Sequence, residues 1–360
     1  MTAKITAFPR KSLAIGGLTL ANRAVLAPMS GITDAPFRRL ATQLGAGLVV
    51  SEMTACAALA RGKREARRRS EGQGVGIHVV QLAGCEARWM AEGARIAETE
   101  GADIIDINMG CPARMVTNGA SGSALMRDLD HALSLIDATV GAVRVPVTLK
   151  MRRGMDDSAE SERNFFAVLD AAFETGLAAV TVHGRTVKQR YVGPSDWAFL
   201  ARVKRHVGDR TILGSGDLFS AADCVRMLEE TGVDGCSIAR GAIGNPFIFR
   251  EVRALLFGEE LPPPSIAEQR RALDRHFELA AALHGEEMAG PLLRKFGVRY
   301  SELHPQSGDV KTAFLSVRSP GDWGAMLDRW YGDDALYPPV VRRTRPEALV
   351  AAGATLTGEG

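Results

Sequence analysis

Asp103-Ile104-Ile105-Asp106-Ile107-Asn108-Met109-Gly110-Cys111-Pro112 opens as a short apolar, β-branched run and ends in a polar turn shaped by Gly110 and Pro112. The same design recurs along the chain. Similar runs stand at Ala24–Ala27, Leu48–Ser51, Gly76–Leu82, Pro146–Lys150, Ala179–His183, Thr211–Gly214 and Gly235–Ala239. With Asp103–Ile107 they make eight. Most are apolar on both faces, the signature of buried parallel strands. Helical patterns lie between them. Glu86–Thr99 carries Ala87, Met90, Ala94 and Ala97 at helical spacing, and Ala221–Thr231 carries Cys224, Val225 and Leu228. Gly101, Gly176 and Gly232 stand where a left-handed residue closes a helix before the next strand.

Eight βα units in about 220 residues predict a (β/α)8 (TIM) barrel, an α/β fold. An open doubly wound sheet would place a glycine fingerprint after its first strand. The first turn here is Pro28-Met29-Ser30-Gly31, which is not one. A composition break at Leu261-Pro262-Pro263-Pro264 ends this pattern at residue 260 and reads as a linker. Beyond it, apolar faces at Leu273/Phe277/Ala280, Leu292/Phe296/Tyr300/Leu303 and Trp323/Met326/Leu327/Trp330 predict a small helical domain over 265–331. From 338 to 360 the Ala-, Gly- and Thr-rich tail is expected to be mobile.

Bulk properties narrow the class. The chain has 360 residues, 46% hydrophobic and 24% charged, with a formal net charge of +2. That is an ordinary globular composition, and any basic surface must be local. The five cysteines, Cys56, Cys85, Cys111, Cys224 and Cys236, are scattered and form no metal-ligand or disulfide pattern. The N-terminus lacks the apolar core of a signal peptide, and no run approaches a membrane span. A soluble cytoplasmic protein without a metal is expected. No large apolar stripe demands a dimer, so a monomer is expected.

A barrel carries its active site at the C-terminal strand ends. Those ends hold Pro28-Met29-Ser30, Ser51-Glu52-Met53, Gln81, Asn108 to Pro112, Lys150, His183-Gly184-Arg185, Ser215-Gly216-Asp217 and Ala239-Arg240-Gly241. Packing alone does not explain polar groups at all eight. The last two ends occupy the phosphate position of this fold, where small residues let backbone N–H groups approach an anion and Arg240 adds charge. Lys150 could form a Schiff base, hold an anion or make a structural ion pair. Most lone cysteines are inert, but Cys111 sits in a tight turn beside Asn108 at a strand end. His183 could be a core histidine, yet Arg185 two residues on favours an anion or substrate site. From Arg61 to Arg69 there are six basic residues and one acidic, and Arg294, Lys295 and Arg299 form a second basic group. Solvated faces would explain both, as would an RNA partner.

These residues together resemble the tRNA-dihydrouridine synthases. The resemblance rests on Leu26-Ala27-Pro28-Met29-Ser30-Gly31-Ile32-Thr33-Asp34, Asp106 to Pro112, Val147-Thr148-Leu149-Lys150, Val182-His183-Gly184-Arg185-Thr186, Gly214 to Asp217 and Ala239 to Ala242. It covers roughly Ala14 to Tyr331. The Asn-Met-Gly-Cys-Pro segment is highly specific, and the others are shared more loosely with other flavin barrels. The resemblance implies FMN reduced by NADPH, and tRNA as substrate. Pro28, Met29 and Ser30 would line the flavin ring. Gln81 and Lys150 would bond its polar edge, with His183 beside it. Ser215, Gly216, Asp217, Ala239 and Arg240 would hold ribityl and phosphate groups. Asn108 and Arg185 would meet the uracil, and Cys111 would donate the proton. Arg67, Arg68, Arg69, Arg294, Lys295 and Arg299 would meet the tRNA backbone. The sequence departs from the family at Ser215, where Asn is usual, and at Ala239, where Gly is usual.

The chemistry is consistent with that resemblance. Hydride addition at C6 of uracil builds charge at C5, and an acid on the opposite face must protonate it. An ordinary thiol is mostly protonated at neutral pH yet releases its proton readily. A uridine stacked in folded tRNA must also be extruded. The competing readings are another FMN barrel acting on a free pyrimidine or enone, a Lys150 Schiff-base aldolase, and a non-catalytic RNA-binding protein.

Overall fold

The computed structural model describes residues 12–113 and 121–340. Among the described residues nine strand segments form one closed parallel sheet. They are β3 (Ala24–Leu26), β4 (Val49–Val50), β5 (Thr54–Ala55), β6 (His78–Ala83), β7 (Ile104–Met109), β8 (Val147–Arg152), β9 (Ala179–His183), β10 (Ile212–Ser215) and β11 (Gly235–Ile238). β4 pairs with β3 on one side and β6 on the other, which closes the barrel. β5 continues the same stave beyond Ser51–Met53, pairing Thr54 with Leu82. The result is the eight-stave parallel barrel that the sequence predicts.

Alternation along the strands explains the two faces. Ile105, Ile107 and Met109 of β7, with Leu149 and Met151 of β8, belong to the large core under the outer helices. Their alternates point into the barrel. There, Val25, Leu48, Val50, Val79, Ile104, Ala179 and Leu213 form a separate apolar floor. An N-terminal hairpin, β1 (Leu13–Ile15) and β2 (Leu18–Leu20), adds Leu13, Ile15 and Leu20 to this floor. The hairpin is absent from the sequence reading. Its signal is Gly16-Gly17 between alternating apolar residues, and both glycines take positive φ, +55° and +88°. Above the floor the interior becomes polar.

The outer helices are α1 (Ala35–Gln43), α2 (Cys56–Ala60), α3 (Arg64–Ser70), α4 (Ala87–Thr99), α5 (Leu129–Val140), α6 (Ala159–Glu174), α7 (Trp197–Val207), α8 (Ala221–Thr231) and α9 (Ile248–Leu256). α8 begins in a capping box between Ser220 and Asp223 and ends on Gly232 at φ +73°, the left-handed stop its sequence announces.

Among the described residues four more helices follow the proline-rich segment: α10 (Ile266–His284), α11 (Glu286–Tyr300), α12 (Ser307–Ser316) and α13 (Pro320–Trp330). α12 has no counterpart among the three apolar faces read from sequence, because it buries only Val310 and Phe314. These helices pack on the barrel. Phe37 of α1 lies 5.6 Å from the His276 ring and 5.0 Å from Phe296. One continuous buried cluster runs from the barrel exterior into the helical region. The tail expected to be mobile from 338 to 360 lies, beyond residue 340, outside the described residues.

Candidate active site

Strand register brings the sequence candidates to one end of the barrel. Gln81 faces Asp106 across β6 and β7, and Asn108 faces Lys150 across β7 and β8. Arg152 faces His183, His183 faces Ser215, and Ser215 faces Ser237 around the remaining staves. Pro28 follows β3 and lines the same interior cavity as Asp106, Thr148, Lys150, Thr181 and Ser237.

The turn after β7 is held from its own strand. Asn108 Oδ1 accepts from Gly110 N–H at 3.2 Å and from Cys111 N–H at 3.0 Å. Arg152 Nε donates to the Gly110 carbonyl at 3.0 Å, and Ser123 N–H donates to the Cys111 carbonyl at 3.1 Å. Cys111 is a free thiol, partly open to solvent. Beneath it, Asn108 Nδ2 donates to Gln81 Oε1 at 2.8 Å. Gln81 Nε2 donates to Asp106 Oδ2 at 2.7 Å, and Thr148 Oγ1 donates to Asp106 Oδ1 at 2.7 Å.

This end of the barrel gathers basic side chains. Burial, reinforced by the Arg152 charge, pushes the Lys150 amine down to about 8, against the pull of Asp106 and Cys111. Among the described residues no hydrogen bond holds that amine. Burial foremost, then Arg152, Lys150, Arg185 and Arg240, hold His183 well below the usual imidazole range, so its ring is neutral near pH 7. Burial raises Asp106, while Gln81, Thr148 and Lys150 pull it back. Four cationic side chains thus surround one neutral ring.

The loops after β10 and β11 form a close-packed cradle. A Cβ on Gly216 would come within 2.3 Å of Ser195 Oγ and 3.0 Å of the His183 ring, and Gly216 takes φ +115°. A Cβ on Gly241 would lie 2.0 Å from the Leu218 carbonyl oxygen. Ser215 Oγ donates to the Ser237 carbonyl at 2.9 Å, and Ala239 begins the short turn Arg240–Ala242. Arg240 lies over the rings of Tyr191, at 4.8 Å, and Phe219, at 5.2 Å.

Two sequence candidates are committed elsewhere. Arg185 is buried. It bonds both carboxylate oxygens of Asp217 and donates through Nε to the Gly193 carbonyl. Asp217 also accepts from Ser195 N–H at 2.8 Å. This pair braces the loops after β9 and β10 from below. Met29 tightens the first loop, its N–H donating to Thr33 Oγ1 at 2.9 Å, and Ser30 beside it is exposed. Sequence reading passed over Arg152. It is buried and also reaches the Thr186 and Arg190 carbonyls, at 3.1 and 3.0 Å. Its signal was its place two residues after Lys150, on the same strand face.

The basic groups lie on α3 and α11. Arg67 and Arg68 of α3 are exposed and pair loosely with Glu100 and Glu65. Arg69 is more enclosed, bonding Glu65 and the Met53 carbonyl. Lys295 of α11 donates to the Gly31 carbonyl in the loop after β3, tying the helical region to the barrel mouth. Arg294 bonds within its own helix and Arg299 pairs with Glu302. Among the described residues no helix is long and apolar enough to cross a membrane, and no cluster of side chains is arranged to hold a metal.

Residues 25–328 match the model of the family described as "Dihydrouridine synthase (Dus)". The chain is 43% identical over 316 residues to the "Probable tRNA-dihydrouridine synthase" of Rhizobium leguminosarum bv. phaseoli, covering 86% of this chain and 95% of that one. It is 42% identical over 308 residues to the "tRNA-dihydrouridine synthase B" of Xanthomonas campestris pv. campestris, covering 85% and 92%. Among solved structures, histamine dehydrogenase from Rhizobium sp. 4-9 superposes with a TM-score of 0.52 at 14% identity, over 75% of this chain and 50% of that one. A 2-naphthoyl-CoA reductase complex superposes with a TM-score of 0.53 at 12% identity, over 89% and 69%. These two likenesses are of fold.

Proposed function

The chain belongs to the dihydrouridine synthase family and makes dihydrouridine in tRNA as a flavin-dependent oxidoreductase; we propose that its flavin is FMN, its reductant NADPH and its proton donor Cys111. The free thiol in the turn after β7, held by Asn108 where that strand pairs with Lys150, carries this reading.

The residues present fit a bound flavin. Lys150 offers a partly desolvated ammonium with no hydrogen bond among the described residues, suited to a negatively charged edge of the ring system. Gln81 retains a second amide hydrogen beside it, and Pro28, Met29 and Ser30 stand on the neighbouring loop. The glycine cradle of Gly216 and Gly241, with Ser215, Ala239 and Arg240, fits a phosphate and its linker. The Asp217 carboxylate serves this cradle by holding Arg185, and neutral His183 sits between cradle and Lys150.

When bound, the flavin supplies hydride for C6 of the uracil and NADPH restores it. Cys111 Sγ releases its proton to C5, so hydrogen adds across C5=C6 and the thiolate is reprotonated from solvent. Asn108 fixes the Cys111 turn and keeps one amide hydrogen for the uracil. Arg185 offers its remaining nitrogen, 3.5 Å from His183 Nε2. Residues 1–260 act as the catalytic barrel and 265–331 as the tRNA-binding domain. Arg67, Arg68, Arg69, Arg294, Lys295 and Arg299 are the proposed backbone contacts, with Arg67 and Arg68 the most exposed of the α3 group. The chain works as a monomer in the cytoplasm.

Incubation of the purified protein with NADPH and tRNA lacking dihydrouridine tests this. NADPH oxidation should match dihydrouridine formed, and Lys150→Met should lower flavin occupancy. Protein that neither carries nor takes up a flavin would overturn the reading.

A further inference from the structure

Asp106 lies below the reacting end of the barrel and touches none of the residues assigned to substrate. Its carboxylate accepts from Gln81 Nε2 and from Thr148 Oγ1, each at 2.7 Å. A carboxylate has no hydrogen to give, so Gln81 must present its NH2 group downward and its oxygen upward. That oxygen accepts from Asn108 Nδ2 at 2.8 Å. Asn108 must therefore turn its own oxygen toward the turn, where it accepts from the N–H groups of Gly110 and Cys111. Backbone N–H groups can only donate, so the polarity of the chain is determined at both ends. Gln81, Asp106 and Asn108 are 1%, 4% and 8% exposed, which leaves water little room to repair a reversed amide.

We propose that Asp106 is a positioning residue for proton transfer: through Gln81 and Asn108 it sets the direction of a buried hydrogen-bond relay that holds the Cys111 turn in place. This rests on the reading of Cys111 as proton donor. Its structural content, the hold on the turn, stands apart from that reading. What the relay needs at position 106 is an acceptor facing Gln81, not a charge. An amide there suffices, because the Thr148 hydroxyl can rotate to accept from its NH2 group.

Amide hydrogen exchange tests this on flavin-free full-length protein, without tRNA. Pro112 has no amide hydrogen, so a peptide spanning the turn reports mainly Gly110 and Cys111. Asp106→Leu should speed exchange in that peptide about tenfold or more, and Asp106→Asn should leave it within about threefold of wild type. Gln81→Met, nearly isosteric, cuts the relay one link later. It should match the leucine variant and gives the answer if that variant does not fold. On tRNA, Asp106→Leu should lower kcat about tenfold or more with KM within about twofold, and Asp106→Asn should restore most of the kcat. Unchanged exchange in the leucine and methionine variants overturns the relay. So does equal loosening in Asp106→Asn, which would make Asp106 a counter-charge to Lys150. Loosened exchange without loss of kcat leaves the hold on the turn standing and overturns the role of Asp106 in proton transfer.

Discussion

One guanidinium nitrogen of Arg185 reaches both carboxylate oxygens of Asp217, at 2.7 and 2.8 Å, in a pair whose side chains are 1% and 5% exposed. Breaking such a pair strands a buried charge at a cost of about 3 kcal/mol or more. Asp217 also takes φ +59°, which Asp and Asn tolerate better than most residues. Asp217→Asn therefore isolates the charge. It should lower the thermal midpoint and flavin occupancy together. Wild-type values for both would show that the pair does not brace the cradle.

Cys111→Ala removes the proposed acid without disturbing the backbone bonds to Asn108. Flavin content and the rate at which NADPH bleaches it should stay at wild-type levels. Dihydrouridine formation should fall roughly 100-fold or more, the usual contribution of a positioned acid. Rapid-mixing absorbance and product counting separate the two half-reactions.

His276 packs between Phe37 and Phe296, and among the described residues neither ring nitrogen has a hydrogen-bond partner. Burial pushes it down to about 4, with Asp34 pulling upward and Lys295 adding to the fall. The unfolded chain takes up this proton below about 6.5 and the folded chain only near 4. Its contribution to stability is therefore full above pH 6.5 and is lost as pH falls toward 4. His276→Met should stabilise the protein, and more at pH 5 than at pH 8. Denaturant midpoints at the two pH values check this, and a gain independent of pH would contradict it.

Arg67→Glu with Arg68→Glu should weaken tRNA binding and flatten the plot of log affinity against log salt by about 0.9 for each phosphate no longer neutralised. Arg69→Glu should do more, since it also breaks the bond to the Met53 carbonyl. Affinity unchanged across a salt series would leave α3 as a solvated face.

The barrel was legible because each strand announces itself locally. Ala179–His183 and Ala221–Thr231 were read with the bounds they have in the structure. Where β4 and β5 divide one stave at Ser51–Met53, the run Leu48–Ser51 continued only partly as strand. The N-terminal hairpin went unread although Gly16-Gly17 signals it, and α12 went unread because Val310 and Phe314 make a weak stripe.

Local pattern suffices for the barrel, three of the four helices that follow it and the polar turn at Cys111, since strand period, helix caps and a Gly-Cys-Pro turn depend on residues close together in the chain. It cannot say that Arg185 faces Asp217, that Arg152 ties down the Gly110 and Thr186 carbonyls, or that Lys295 reaches Gly31. Nor can it say that Asp106, in the same strand as Asn108, looks inward to Gln81. Those pairings join residues far apart in sequence. They exist only once the strands are in register and the barrel has closed, because register decides which side chains share the same buried layer.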